Sequence, residues 1–349
     1  MRLQRFWPAL LAAGTALLCD GGAVRAEGPT ASVELPRFVR PQKPMTDEAV
    51  DDALAVPPVE YGKWQGTGYG AYLAPKRLDV GPDGGVDVML HLNGAMMADK
   101  EWRESGLNAV VASIAIREIV GSAGYAKLFA EPGYLDYVLR STLADLQKNG
   151  EKRVTHVRRL GVVSWSAGMG GVSQLVGNPA TLARIDSVVL LDSIHATYTD
   201  PKSGVARVAV PGQAAMGLGA DWVDMKAVSK YVRLANEAAE GKKAFVISAS
   251  AILPPDYASC AETSRAVLRA VSSPVTDLDG AEKNALGMTP KYRADKGDLH
   301  ARGWRGGGPH DHFDQLHLVG DMVRTYIAPR WNKMAANERK QLTAALPGN

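Results

Sequence analysis

The stretch from Leu160 to Gly171, Leu-Gly-Val-Val-Ser-Trp-Ser-Ala-Gly-Met-Gly-Gly, constrains this chain more than any other. Its first half is apolar and β-branched at Val162 and Val163, the composition of a buried strand. Its second half is built from small residues, and Val172, Leu175 and Val176 then follow at helical spacing. Ser166 stands between the two, with Ser164 and Gly168 two residues to either side. That is the G-x-S-x-G pattern of a strand-turn-helix, with serine in place of the first glycine. A side chain perched on so sharp a turn needs small neighbours, or the turn closes sterically. The helix beyond it aims its first N–H groups at the turn and favours negative charge there. A Gly/Ser-rich turn without chemistry would share the composition, but not the strand before it and the helix after it.

The chain around this segment divides into three parts. Arg2 and Arg5 precede an apolar run from Phe6 to Leu18, and Val24-Arg-Ala26 offers small residues for cleavage. These features predict a secretory signal peptide over 1–26, cleaved after Ala26. The run is too short to span a bilayer, so no integral span is expected after processing. Cys19 hints at a lipoprotein, but Leu18 before it is a poor fit to that processing. Residues 27–58, rich in Pro and charge, read as an extended N-terminal arm, and 59–349 as one large α/β domain. Cleavage would leave Cys260 as the one cysteine, so no intramolecular disulfide could form. An exported chain without disulfides points to a bacterial periplasm or exterior. Hydrophobic residues are 46% and charged residues 22%, as in ordinary globular proteins. The net charge of +3 is small and no basic stripe carries interleaved aromatics, which argues against nucleic acid as a partner.

Apolar strands alternate with helical stretches along the large part. Strands are expected at Gly66–Leu73 (an antiparallel edge), Val86–Leu92, Asn108–Ile116, the segment before Ser166, Ile185–Leu191 and Ala244–Ile247. Helices are expected over Tyr134–Leu146, after Ser166, over Asp221–Ala239 and Ala261–Val271, and in a last helix with Phe313, Leu316, Val319, Val323 and Ile327 on one face. The fold class is therefore α/β, a mainly parallel sheet with helices on both faces. Ligands in such sheets sit at the carboxyl ends of strands, where Asn93, Ser166 and Asp192 fall.

A serine hydroxyl becomes a nucleophile only with a base, and the base needs an acid to hold its tautomer. The late segment Gly306–His317 offers His310, His312 and His317. His317 lies inside a helix and reads as a surface or packing residue. His310 and His312 lie on the glycine-rich loop at the helix start; His312 is preferred, with His310 in reserve. Asp192 is the preferred acid because it follows Leu191 without a gap, whereas Asp256 lies beyond Pro254 and Pro255 and reads as a turn aspartate. An oxyanion hole would use the N–H of Ala167 and one from Asn93, Gly94 or Ala95. His91 reads as a supporting residue. A metal site at His310, Asp311, His312, Asp314 and His317 is disfavoured, because five residues separate His312 from His317 and no second cluster exists. No metal and no cofactor are expected.

With the elbow at Ser166, the His91–Ala95 loop and the late histidine in the order Ser, Asp, His, the chain resembles an α/β-hydrolase from about Gly66 onward. Leu191–Tyr198, Gly121–Tyr125 and Asp311-His312 are similar to a group of secreted bacterial α/β-hydrolases of undefined substrate. In that group the position of Asp256 is not reliably acidic, which favours Asp192. Ser164 departs mildly from the pattern, and Asn93 replaces the more usual His-Gly pair of esterases. The resemblance implies an esterase-like serine hydrolase using Ser166, His312 and Asp192 on a small-molecule or acylated substrate. Amide or peptide cleavage, acyl transfer and a non-catalytic binding role are the alternatives. The small-residue-rich segment 195–220 reads equally as a lid or as a surface connection. Trp165 reads as a pocket wall or as packing beneath the elbow.

Overall fold

The computed structural model describes residues 56, 58–114, 121–207 and 217–345. The expected signal peptide, and the expected arm save its last residues, lie outside them. Among the described residues twelve strands run in chain order as β1 (Gln65–Thr67), β2 (Gly70–Leu73), β3 (Gly85–Leu92), β4 (Val110–Ile114), β5 (His156–Trp165), β6 (Ile185–Leu191), β7 (Tyr198–Thr199), β8 (Ala206–Arg207), β9 (Ala244–Ala249), β10 (Val275–Asp277), β11 (Pro290–Lys296) and β12 (Leu299–Trp304). Ten of them form one sheet in the order β1-β2-β4-β3-β5-β6-β9-β12-β11-β10. Every pairing from β4 across to β12 is parallel; the two flanks are antiparallel.

The central strands are apolar on both sides because both sheet faces are covered. Alternate residues go to opposite faces. Val88, Leu90, Leu160, Val162, Val188 and Leu190 meet helices Tyr134–Lys148 and Met169–Gly177 on one face. Met89, Val163, Val189 and Val246 meet Trp102 and the C-terminal helices, through Val319, Val323 and Trp331, on the other. The fold is α/β-hydrolase-like: a mostly parallel sheet between two helical layers, with Ser166 at a strand-to-helix turn.

Four expectations about the elements change. Gly66–Leu73 is a hairpin of β1 and β2 rather than one strand, because Gly70 adopts a φ of 140° that lets the chain turn. The helix expected from Asp221 begins at Met225, where Asp224 caps it by accepting from Lys226 and Ala227 N–H groups. The strand expected over Asn108–Ile116 runs Val110–Ile114, and its last two residues fall outside the described range. The last helix is a series of segments, Pro309–His317, Val319–Met322, a wider π turn over Val323–Ile327, and Ala328–Ala345. The antiparallel extension β10–β12 had no counterpart in the sequence reading.

Two helices abut through glycine. A Cβ added at Gly170 would stand 1.9 Å from the carbonyl oxygen and 2.8 Å from the carbonyl carbon of Ser122. Those are backbone atoms of the helix Gly121–Ala130, so relief requires that whole helix to move. Gly170→Ala is therefore expected to destabilise by about 1–3 kcal/mol. The same change at an uncrowded helical site stabilises by roughly 0.5–1 kcal/mol. Urea melts of both proteins check the sign.

Candidate active site

Ser166 closes β5 and opens the short turn Ser166–Gly168 that leads into helix Met169–Gly177. Its φ is +52°, a conformation L-residues avoid at a cost of roughly 1–2 kcal/mol. Asn93 after β3 (φ 69°) and Asp192 after β6 (φ 44°) share it. β3, β5 and β6 are neighbours, so three left-handed polar residues stand side by side at the carboxyl edge of the sheet. Strain of this kind persists only where surrounding structure over-determines it, and it collects at functional sites.

The small residues of the elbow have specific causes. A Cβ at Gly168 would lie 2.4 Å from the carbonyl oxygen of Leu92 and 2.5 Å from Ser164 Oγ. Ser164, at the place of the first motif glycine, turns its hydroxyl to Ser193 Oγ at 2.5 Å. Ser193 in turn donates to the carbonyl of Ser166 at 3.1 Å. The serine substitution in the motif thus ties the elbow to the loop after β6.

The structure brings Ser166, His312 and Asp192 into one hydrogen-bonded line. His312 Nε2 lies 2.8 Å from Ser166 Oγ, and His312 Nδ1 lies 3.1 Å from Asp192 Oδ2. The other carboxylate oxygen of Asp192 accepts the Ser250 N–H at 2.7 Å, and the Asp192 N–H donates to Ser248 O at 2.9 Å. Asp192 is 2% exposed, so its charge faces this site rather than solvent. With Nδ1–H directed at Asp192, Nε2 is left to accept the serine proton.

His312 sits in the first turn of helix Pro309–His317, not on the loop before it, because Pro309 supplies the fixed φ of a helix start. Two contacts hold this turn. Trp165 Nε1 donates to the His312 carbonyl at 2.9 Å, and its ring stacks on the imidazole at 5.0 Å between centroids. Further along, the Ser248 hydroxyl donates to Gln315 Oε1 at 2.6 Å and itself accepts from Trp304 Nε1 at 2.9 Å. Trp165 therefore does both things considered for it: it packs under the elbow and lines the cavity.

The alternatives lie elsewhere. His310 is exposed. His317 pairs with Glu101 at 2.8 Å, and that hydrogen bond raises its pKa. Asp256 is exposed in a bend. His91 is buried, accepts from Trp102 Nε1 at 3.0 Å, and is pushed down to about 3 by burial, which keeps it neutral. Among the described residues no three His, Cys, Asp or Glu side chains are grouped to hold a metal ion.

Ser166 and His312 open onto a cavity of about 200 Å³. Ala167 and Asn93 line it; Asn93 turns its side-chain Nδ2 to the carbonyl of Trp165 at 3.2 Å. Gly94, also a candidate oxyanion donor, does not line the cavity: its α-carbon faces inward, where a Cβ would stand 3.0 Å from Trp165 and 3.1 Å from Leu316. Ala95 is buried at 1% exposure and likewise off the wall. The sequence reading missed His195, Ser250 and Cys260 as lining residues. Cys260 Sγ lies 3.3 Å from His195 Nε2, and burial lifts its thiol well above the usual range. Segment 195–220, expected as a lid or a surface connection, begins with the lining residue His195 and carries the β7–β8 hairpin, and 208–216 lie outside the described residues.

No family model matches the chain, and no curated protein matches it. Among solved structures, the carboxylesterase CesB (YbfK) from Bacillus subtilis is 12% identical, with 80% of this chain and 96% of that one covered at a TM-score of 0.34. A variant of the esterase rPPE is 11% identical over 81% and 87%, at 0.35. An uncharacterised protein from Capnocytophaga ochracea is 7% identical over 76% and 64%, at 0.37.

Proposed function

We propose that this protein is a serine hydrolase that cleaves an ester through an acyl-enzyme. The observation that carries the reading is the line Ser166–His312–Asp192, at 2.8 and 3.1 Å, opening onto a cavity at the carboxyl edge of the sheet. Ser166 Oγ attacks the ester carbonyl carbon while its proton passes to His312 Nε2. Asp192 stabilises the imidazolium and holds its orientation. The carbonyl oxygen takes up negative charge at the start of helix Met169–Gly177, beside Ala167 and Asn93. Collapse returns the carbonyl, breaks the C–O bond and hands the proton from His312 to the departing alkoxide. Water then repeats the sequence on the acyl-enzyme and frees the acid. An alcohol in place of water would make the same residues an acyltransferase.

Export to the periplasm or exterior, after cleavage at Ala26, is part of the same proposal. Mass spectrometry of the chain recovered from a periplasmic extract would give a mature N-terminus at Glu27 if it is right.

Covalent labelling tests the chemistry directly. A fluorophosphonate is expected to add one phosphonyl group to the folded protein, mapped by peptide mass to Ser166. A folded chain that stays unlabelled at Ser166 after prolonged exposure would be a binding protein, and the enzymatic reading would fall.

A further inference from the structure

We infer that the ester's acyl group is compact, uncharged and apolar, and that it seats in the cavity beside Ser166 against Ile252, Pro254, Tyr257 and Cys260. The inference rests on the serine hydrolase reading and adds the substrate class to it. The first argument is size. The cavity measures about 200 Å³, and a dry apolar cavity of roughly 150 Å³ is filled by benzene. A ring or a short chain fits within it; a long fatty acyl chain runs past its open mouth.

The second argument is that several of the polar groups in the wall already have partners. Asp192 gives one oxygen to the Ser250 N–H and the other to His312. Asn93 Nδ2 is engaged with the Trp165 carbonyl and Trp165 Nε1 with the His312 carbonyl. His195 has Nδ1 3.3 Å from the Ala258 carbonyl and Nε2 against the Cys260 thiol. Burial takes the His195 imidazole down to about 4, so it presents no cation near neutral pH. Among the described lining residues there is no Lys or Arg.

A carboxylate on the acyl group would lose its water without meeting a cation among these residues, and it would face the Asp192 charge. A polar neutral acyl group would be desolvated mainly against apolar side chains, Met169, Ile252, Pro254 and Phe313 among them. Recognition is then dominated by fit against carbon and sulfur. Such walls discriminate by size, at about 10- to 200-fold for a methylene gained or lost in a well-fitted pocket.

The test uses p-nitrophenyl alkylphosphonates, which report on the pocket without requiring turnover. Ser166 Oγ bonds to phosphorus, the phosphorus–oxygen bond to p-nitrophenolate breaks, and the serine proton passes to His312. Release of p-nitrophenolate gives the rate. Hexyl and phenyl phosphonates are expected to react at least about 100-fold faster than hexadecyl and carboxypropyl ones. Ile252→Ala removes wall and is expected to raise the hexadecyl-to-hexyl rate ratio about tenfold. Because the readout is a ratio within one protein, partial loss of folded material does not imitate it. A hexadecyl or carboxypropyl probe that reacts fastest, or a ratio unmoved by Ile252→Ala, overturns the acyl assignment while leaving the hydrolase reading in place. Failure of a small fluorophosphonate to label Ser166 removes that reading itself.

Discussion

Ser166→Ala is expected to lower kcat/KM by about 10⁴-fold or more, while the protein stays folded. The size follows from what the hydroxyl does. Ser166 Oγ is the atom 2.8 Å from His312 Nε2, and without it the imidazole has no proton to take and the ester no nucleophile to meet. The residual rate would come from the cavity and the oxyanion donors acting on water. At about 1.36 kcal/mol per factor of ten, the loss corresponds to about 5 kcal/mol of transition-state stabilisation. The fold has little reason to change. The replacement removes one oxygen from a cavity wall and leaves the backbone of the elbow, including its φ of +52°, with a side chain of similar bulk. The melting midpoint should stay within about 4 °C, the shift expected for 1 kcal/mol in a domain of this size. Steady-state hydrolysis of p-nitrophenyl butanoate and a thermal melt on the same preparation decide the matter. Activity within tenfold of the parent would show that Ser166 is not the nucleophile.

The elbow could be read from sequence because its constraints are local. Strand, turn and helix lie within Leu160–Val176, and Gly168 answers crowding from Leu92 on the strand beside it and from Ser164 within the motif, although Gly170 answers Ser122 of a more distant helix. The positions of Asp192 and His312 could be anticipated because both follow strand ends or begin a helix, where parallel sheets assemble their sites. The supports of those residues could not. The stacking of Trp165 on His312 joins positions 147 apart, and the Cys260–His195 contact joins positions 65 apart. The anchor of Asp192 is the backbone N–H of Ser250, which any residue but proline would supply. At Gly94 the need for glycine has a further cause that sequence does not show, because a Cβ there would crowd Trp165 and Leu316. β10 and β11 were missed because β10 is exposed throughout and β11 is only intermittently buried, and β12 because His300, Arg302 and Gly303 interrupt its apolar residues although it is mostly buried.

Asp192→Asn is expected to match the serine change in kind, with kcat lowered by about 10⁴-fold, and to separate orientation from mere charge. The carboxylate oxygens both accept: Oδ1 from the Ser250 N–H at 2.7 Å and Oδ2 from His312 Nδ1 at 3.1 Å. An asparagine has one acceptor and one donor to place in the same two positions. Turning its oxygen to His312 would set its NH₂ against the Ser250 N–H, two donors facing at a buried site, at a cost of about 1–3 kcal/mol. The amide therefore keeps its oxygen on Ser250 and presents NH₂ to His312. Nδ1 must then accept, the ring proton moves to Nε2, and Nε2 no longer has a lone pair for the Ser166 proton. The fold survives because the shape is unchanged and the Ser250 bond is kept. Nitrogen-15 spectra of the His312 ring should show the Nδ1–H tautomer in the parent and the Nε2–H tautomer in the variant. Asp256→Asn, at an exposed bend, is expected to leave turnover within about twofold, in line with surface substitutions that shift energies by no more than about 0.5 kcal/mol. Full activity in Asp192→Asn, or an equal loss in Asp256→Asn, would move the acid away from Asp192 without touching the assignment of the nucleophile.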